Sequence, residues 1–189
     1  MFVVISGTNR PNNRTQHVAR LAAKAFEANN HPARLLDLQE LPRELFDPQS
    51  YAEKPASFAT WQEAITNATG ILTVVPEYNG AAPGVMKYFL DMLKFPESLV
   101  GVPCAFVGLA SGQWGALRAV EHLEMVFQYR KAHLFGPRLF MPNLAQVLDA
   151  KGRLTDDELA GRLHTLVTEF VDFAQRLENK GTDSAEWTP

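Results

Sequence analysis

Short apolar runs alternate with amphipathic helical patterns along most of this chain. The predicted strands are apolar runs, several of them rich in β-branched residues, at positions 2–6, 33–38, 71–75, 103–109 and 138–141. The first predicted helix begins after residue 15, and four further helices cover about 56–68, 83–94, 116–129 and 155–177. Runs that are apolar throughout are typical of strands buried on both faces of a sheet. The alternation therefore predicts an α/β domain with helices on both faces of a five-stranded parallel sheet.

The connections and the end of the chain carry weaker signals. Residues 41–55 are rich in Pro, Asp and Glu, which indicates an excursion with turns. Thr155 and Glu158 have the spacing of a capping box at the start of the last helix. We expect residues 1–178 to form the domain and the polar residues 179–189 to form a mobile tail.

Length, charge and cysteine content exclude several classes of protein. A chain of 189 residues is long enough for one domain, and a net charge of -3 gives no overall attraction to nucleic acid or anionic lipid. Cys104 is the single cysteine, so intrachain disulfides and cysteine-based zinc sites are excluded, and no His pair has metal-site spacing. Neither a signal peptide nor an apolar span long enough for a bilayer is evident. We therefore expect a cytoplasmic protein without membrane or nucleic-acid partners.

The loop after the first predicted strand has the composition of a phosphate site. Parallel sheets bind ligands beyond the carboxyl ends of their strands, and this loop supplies hydroxyl, amide and guanidinium groups before a helix N-terminus. The candidate phosphate ligands are Thr8, Arg10, Asn12, Asn13 and Thr15, with a second guanidinium at Arg14. Neither a Walker loop nor a GxGxxG motif is present. A polar loop with an ordinary helix cap remains an equal alternative from these residues alone.

Two further loops, after the third and fourth strands, suit a flat heterocycle. In residues 76–84, small side chains at 80–82 leave room for a planar ring, while in residues 110–115 glycines expose backbone N–H donors. The candidate ring-binding residues are Pro76, Glu77, Tyr78, Asn79 and Gly80 in one loop and Ser111, Gly112, Gln113, Trp114 and Gly115 in the other. Taken alone, the loop after the third strand is explained equally well as a tight turn with Glu77 solvated and Tyr78 half-buried, and the loop after the fourth strand as a simple βα connection. Together, the three loops favour one ligand with a phosphate and a ring.

The motifs in these loops resemble those of the NAD(P)H-dependent FMN reductase family, within the flavodoxin-like superfamily. The family pattern Pro-Glu-Tyr-Asn-x-Ser-x-Pro-Gly-x-Leu-Lys-Asn is matched at Pro76, Glu77, Tyr78, Asn79, Pro83, Gly84 and Lys87. Gly7, Thr8 and Arg10 match the first motif, and Ser111, Gly112 and Gly115 match the third. The chain departs from the family where Asn13 and Ala81 replace serines, Met86 replaces leucine and Tyr88 replaces asparagine. The resemblance extends to about residue 177.

The resemblance implies a flavodoxin-like three-layer sandwich with strand order 2-1-3-4-5, FMN as cofactor, and NADPH or NADH as co-substrate. It also implies a homodimer or homotetramer with the flavin near a subunit interface. Tyr88, Phe89 and Trp114, aromatic residues close to the proposed site, are the candidates for that interface. Electrons would pass to a quinone, azo compound, free flavin or metal oxyanion. We expect a ping-pong route, because no second nucleotide motif is present, and no catalytic side chain, because flavin carries the chemistry.

Two other functions remain open at this stage. A flavodoxin-type electron carrier shares the expected fold, although such carriers are usually more acidic and lack the arginine in the phosphate loop. A regulatory module that has lost flavin would explain the substitutions at Asn13 and Ala81. NADPH oxidation in the presence of FMN and a quinone distinguishes the reductase from the carrier, and the colour of the purified protein tests the flavin-free module.

Overall fold

The sheet and its helices follow one another in regular alternation. A computed structural model describes residues 1–181, with side chains through residue 178. The strands are β1 (Phe2–Ser6), β2 (Ala33–Asp37), β3 (Ile71–Pro76), β4 (Pro103–Leu109) and β5 (His133–Met141). The helices are α1 (Arg14–Ala28), α2 (Ala59–Thr66), α3 (Gly84–Met92), α4 (Leu117–Tyr129), α5 (Leu144–Val147) and α6 (Asp157–Gly181).

All neighbouring strands are parallel, and the sheet order is β2-β1-β3-β4-β5. This confirms the predicted five-stranded parallel sheet and its strand order. Every residue of β1, β3 and β4 is buried, as their apolar sequences predict. The order reverses between β1 and β3, so the loops after these strands meet at one edge of the sheet, where α/β proteins bind ligands.

Two apolar layers cover the sheet. One layer contains Phe89 and Phe106, and the other contains Phe2, Phe26 and Phe170, which pack against one another as an aromatic group. Burial of this much aromatic surface is a main source of stability in such a domain.

Two buried residues, Cys104 and Phe89, bear on the sequence predictions. Cys104 is fully buried, as its position in an apolar strand predicts. Phe89, which we expected near a subunit interface, is instead fully buried between Phe58 and Trp61 and cannot contact another subunit.

The last strand and the helix boundaries differ from the sequence prediction. β5 begins at His133 rather than residue 138, and its register with β4 shifts between Cys104 and Phe106. As an edge strand it alternates between buried and exposed residues and tolerates Pro137, so it lacks a long apolar run. α2 is shorter than predicted because residues 56–58 form a separate 3-10 turn, and four such turns lie within residues 38–58.

The start of α6 is capped by a different residue from the one predicted. Asp156, not Thr155, accepts a hydrogen bond at its carboxylate from the Leu159 backbone N–H, at 3.0 Å. The Thr155 hydroxyl instead donates to the Gln146 carbonyl oxygen at 3.3 Å. The helix continues to Gly181, beyond the predicted end near residue 177. Residues 182–189 of the predicted tail lie outside the described residues.

None of the helices within residues 1–181 combines the length and apolar character needed to span a membrane. The same part of the chain holds no group of three or more His, Cys, Asp or Glu side chains placed to bind a metal ion.

Candidate functional site

A cleft of about 750 Å³ lies at the carboxyl edge of the sheet, between the three loops singled out from the sequence. Ten of the fifteen predicted site residues line it, namely Arg10, Asn12, Asn13, Thr15, Pro76, Glu77, Tyr78, Ser111, Gly112 and Trp114. The fold therefore brings the proposed phosphate and ring loops around one space, as parallel-strand geometry predicts.

Asn13 sets the geometry of the first loop. It is the N-cap of α1: its side-chain oxygen accepts from the Gln16 N–H at 2.8 Å, and its side-chain nitrogen donates to the Arg10 carbonyl oxygen at 2.7 Å. The N–H groups of Arg14 and Thr15 remain in the first turn, where α-helices leave donors without intrahelical partners. No acidic residue occupies this turn, and the exposed Arg10 and Arg14 line the cleft. This end of the cleft is suited to a dianion.

Thr8 lies beneath the cleft rather than on its surface. Its side chain is fully buried, and its Oγ1 lies 3.0 Å from the Tyr78 hydroxyl and accepts from the Arg10 N–H at 3.2 Å. Thr8 thus connects the first loop to the second. Its position indicates a role in holding Arg10 and Tyr78 in place.

The second loop ends in a tight reversal outside the cleft. Tyr78 and Ala81 exchange backbone hydrogen bonds of 2.9 and 3.1 Å, and Asn79 and Gly80 have φ values of 52° and 78°. Positive φ at both central positions is typical of a type I′ turn, for which Asn-Gly is the preferred pair. Neither residue lines the cleft, and the same holds for Ala81 and Ala82. The small residues at 80–82 therefore form the turn and lie outside the cleft.

Glu77 and Arg118 join the second loop to the first turn of α4. Arg118 Nε donates to Glu77 Oε1 at 2.9 Å, and Arg118 Nη2 donates to the same oxygen. The Glu77 side chain is 10% exposed and that of Arg118 is 56% exposed. Glu77 Oε2 is buried and has no hydrogen-bond partner within the described residues. Both residues line the cleft, so its wall carries an ion pair in which only one of the two carboxylate oxygens accepts hydrogen bonds.

The third loop runs tightly over β4. Gly115 is buried with φ of 56°, Ala116 has φ of 74°, and a Cβ on Gly108 would lie 2.6 Å from the Gly115 carbonyl oxygen. Ser111 and Gly112 are exposed and line the cleft, whereas Gln113 is exposed and does not line it. Gly115 also lies outside the lining. Its conformation lets the loop lie close to the strand.

Seven lining residues lie outside the fifteen candidate ligands, and of these only Arg14 was noted from the sequence, as a second guanidinium of the first loop. They are Pro11, Arg14, Leu109, Ala110, Ala116, Arg118 and Leu144. Most are neighbours of predicted residues, and Arg118 follows the third loop by a few positions, which is a signal that sequence analysis could have used. Leu144 had no local signal. The segment after β5 reaches the cleft through backbone bonds from Leu144 N–H to the Ala110 oxygen and from Ala110 N–H to the Met141 oxygen, each 3.1 Å.

Comparison with known proteins identifies the family of this chain. A family model described as NADPH-dependent FMN reductase matches residues 1–146. An NAD(P)H-dependent FMN reductase of Pseudomonas aeruginosa is 31% identical over 128 residues, which cover 66% of this chain and 68% of that protein. A quinone reductase of Escherichia coli K12 is 28% identical over 180 residues, covering 93% and 96%.

A solved structure of similar fold is that of a flavoenzyme NAD(P)H:(acceptor) oxidoreductase from Paracoccus denitrificans. It has a TM-score of 0.79 and 24% identity, and the match covers 93% of this chain and 97% of that one. At this level of identity the likeness concerns the fold, which is the flavodoxin-like sandwich described above.

Proposed function

This chain belongs to the NADPH-dependent FMN reductase family, and we propose that the cleft at the carboxyl edge of its sheet is where FMN and NAD(P)H meet. It is accordingly an oxidoreductase with FMN as cofactor and a reduced nicotinamide nucleotide as electron donor. The observation that carries the proposal is the joining of the α1 N-terminus, Arg10 and Arg14 to residues 76–78 and 111–112 around one space.

The residues of the cleft fit FMN in charge and in shape. Arg10, Arg14 and the free N–H groups of the first turn of α1 would hold the phosphate, because a dianion there meets two guanidinium groups and the positive end of a helix dipole. Pro76 and Tyr78 would contact the ring, and backbone N–H groups at Ser111 and Gly112 would meet its polar edge. The volume of about 750 Å³ is in the range of cofactor sites.

The cofactor brings chemistry that no side chain of the cleft supplies. When bound, FMN accepts a hydride from the nicotinamide and passes two electrons to an acceptor. The chain contributes binding, orientation and a fixed electrostatic environment. Cys104, the single thiol, is buried in β4 and does not line the cleft, so no thiol is available to the reaction.

We expect donor and acceptor to use the same space in turn. The FMN phosphate would occupy one end of the cleft, and the sequence has no second nucleotide-binding motif. A ping-pong mechanism follows, with parallel double-reciprocal lines when NADPH is varied at several quinone concentrations. Intersecting lines would indicate a ternary complex and would contradict the shared space.

A quinone is the acceptor class that we favour, because the Escherichia coli relative is named a quinone reductase and matches over nearly its whole length. Azo compounds, free flavin and metal oxyanions stay as further candidates. A homodimer or homotetramer and a cytoplasmic location complete the proposal, with Trp114, 56% exposed beside the cleft, available for a subunit contact.

The proposal is tested by flavin binding to the protein freed of cofactor. The protein should be yellow as purified, or the apoprotein should retain added FMN after desalting, and a protein that retains no flavin would contradict the function. Arg10→Ala should weaken FMN about tenfold while leaving riboflavin almost unchanged, because the lost charge-assisted bonds involve only the phosphate. Arg20→Ala, an exposed arginine of α1 outside the cleft, is the matched control. Equal weakening of both flavins by Arg10→Ala would place the phosphate elsewhere.

A further inference from the structure

The charges of the cleft exceed what one phosphate requires. Its lining residues include three arginines, Arg10, Arg14 and Arg118, and a single carboxylate, Glu77. Arg10 and Arg14 flank the N-terminus of α1, where the one phosphate of FMN is assigned. Arg118 belongs to a different element, α4, beyond the loop assigned to the ring. The third guanidinium therefore needs another role.

The pairing of Arg118 with Glu77 is incomplete. Two guanidinium nitrogens donate to one carboxylate oxygen, whereas the strong fork arrangement uses both oxygens in parallel. Glu77 Oε2 has no partner, and Nη1 of Arg118 makes no hydrogen bond to any side chain or backbone group that the structure describes. Since the arginine is 56% exposed, solvent screens the pair and its net contribution is small. Arg118 is held in place but is available to a stronger anion.

The turn beside Arg118 does not enclose the guanidinium. The nearest approach of a Cβ built on Gly80 to Arg118 Nε is 3.8 Å, an ordinary van der Waals contact, and the Arg118 side chain is exposed to solvent. A phosphate in the cleft can therefore approach the guanidinium from the solvent side.

We propose that Arg118 binds the pyrophosphate of the incoming nicotinamide dinucleotide, and that Glu77 holds it at the cleft until the nucleotide arrives. The inference rests on the proposed function and deepens it. A dinucleotide whose nicotinamide lies at the ring end of the cleft must carry its pyrophosphate away from the α1 terminus, because FMN occupies that site. Arg118 is the lining cation outside the first loop. Guanidinium binds phosphates through paired N–H donors, and an exposed group suits a substrate that enters and leaves in each cycle.

The test measures nucleotide affinity in the FMN-loaded protein, with NADP⁺ and NAD⁺ as non-reducing probes in calorimetry. Arg118→Gln should weaken both probes about tenfold, the loss expected for a charge-assisted pair, and should leave FMN affinity of the apoprotein unchanged. Glu77→Gln breaks the same ion pair but keeps the guanidinium. Measured at saturating FMN, it should bind the probes at least as tightly as the wild type.

Arg138→Gln is a matched control, because Arg138 pairs with Glu124 of α4 at 3.1 Å and does not line the cleft. Equal weakening by Arg118→Gln and Glu77→Gln would attribute the effect to the broken pair and overturn the inference. Unchanged NADP⁺ affinity in Arg118→Gln would also overturn it, while the proposed function would stand if FMN is bound and NADPH is oxidised. Failure of the wild-type protein to bind FMN would instead overturn the proposed function.

Discussion

Asn13 performs two tasks with one side chain. Its oxygen caps α1 through Gln16, and its nitrogen fixes the carbonyl of Arg10, so the cap and the loop that carries a cleft arginine depend on the same residue. The amide therefore replaces the serine of the resembled motif without loss of the cap. A serine could accept from Gln16, but it is too short to make the second bond at the same time.

This dual role predicts a graded response at position 13. Asn13→Ala should lower the free energy of unfolding by roughly 0.5–2 kcal/mol, the usual cost of losing an N-cap, and should also weaken FMN. Asn13→Ser should retain most of the stability and lose part of the FMN affinity, since only the Arg10 anchor is removed. Urea unfolding of the apoprotein and FMN titration measure the two effects separately. Wild-type stability in Asn13→Ala would show that the cap is not needed.

Cys104 allows a second prediction at the scale of a residue. Burial raises the pKa of this thiol above its usual range, so it stays protonated at neutral pH, and the thiolate is the reactive form. We expect no reaction with Ellman's reagent in the folded protein and one thiol per chain after unfolding in urea. Rapid modification of the native protein would mean that β4 opens readily.

The residue types of the site were predictable, but their orientations depended on distant partners. Loop position and chemistry were enough to select Arg10, Asn13 and Glu77. The inward direction of Thr8 depends on the Tyr78 hydroxyl, which is 70 positions away in the sequence. Such a partner has no local sequence signal, so the burial of the Thr8 hydroxyl beneath the cleft could not be predicted.

At the scale of elements, burial decides which strands can be predicted from the sequence. β3 and β4 are buried throughout and were found with little or no error in their bounds. β5 lies at the sheet edge, where exposed positions and Pro137 interrupt the apolar pattern, so half of it was missed. Helix starts were ambiguous for another reason, because Thr155 and Asp156 are both good capping residues and only the backbone path decides between them.

The cap of α6 can be tested by paired substitutions. Asp156→Ala should destabilise the protein by about 1 kcal/mol, because it removes the acceptor for the Leu159 N–H. Thr155→Ala should cost less, since its long 3.3 Å bond to the Gln146 oxygen is exposed. Chemical unfolding of both variants at constant pH gives the comparison. A larger loss in Thr155→Ala would support the capping box that the sequence suggested.

For the whole molecule, parallel topology places the loops together without any knowledge of side-chain contacts. The order β2-β1-β3-β4-β5 puts the loops after β1, β3 and β4 at one edge, and the cleft forms there. The part of the cleft wall formed by Leu144 could not be predicted from the sequence. Leu144 arrives from a helix of four residues that has no periodic pattern, and it is positioned by backbone bonds to the third loop.

Assembly is the remaining prediction at this scale. Trp114 is 56% exposed beside the cleft, and aromatic residues are enriched at the cores of interfaces. We expect sedimentation at micromolar concentration to give a homodimer or homotetramer, and Trp114→Ala to shift the equilibrium towards monomer. A monomer with bound FMN would contradict the prediction, and ligand contact would then be the remaining role for Trp114.

Gly108 limits which sequences this protein can sample. A Cβ at Gly108 would lie 2.6 Å from the Gly115 backbone carbonyl oxygen, and Gly115 itself has a φ of 56° and a Cβ there would lie 3.0 Å from Phe140 Cβ, so each position requires glycine. In a saturation-mutagenesis library selected for reductase activity, both positions should be depleted of every alternative, although neither residue lines the cleft. Searches for new acceptor specificity should therefore leave this pair unchanged and vary the exposed Ser111, Gly112 and Trp114 instead. Substitutions that change specificity are expected at the exposed residues of the third loop, whereas the contact between Gly108 and Gly115 beneath them leaves no space for a side chain.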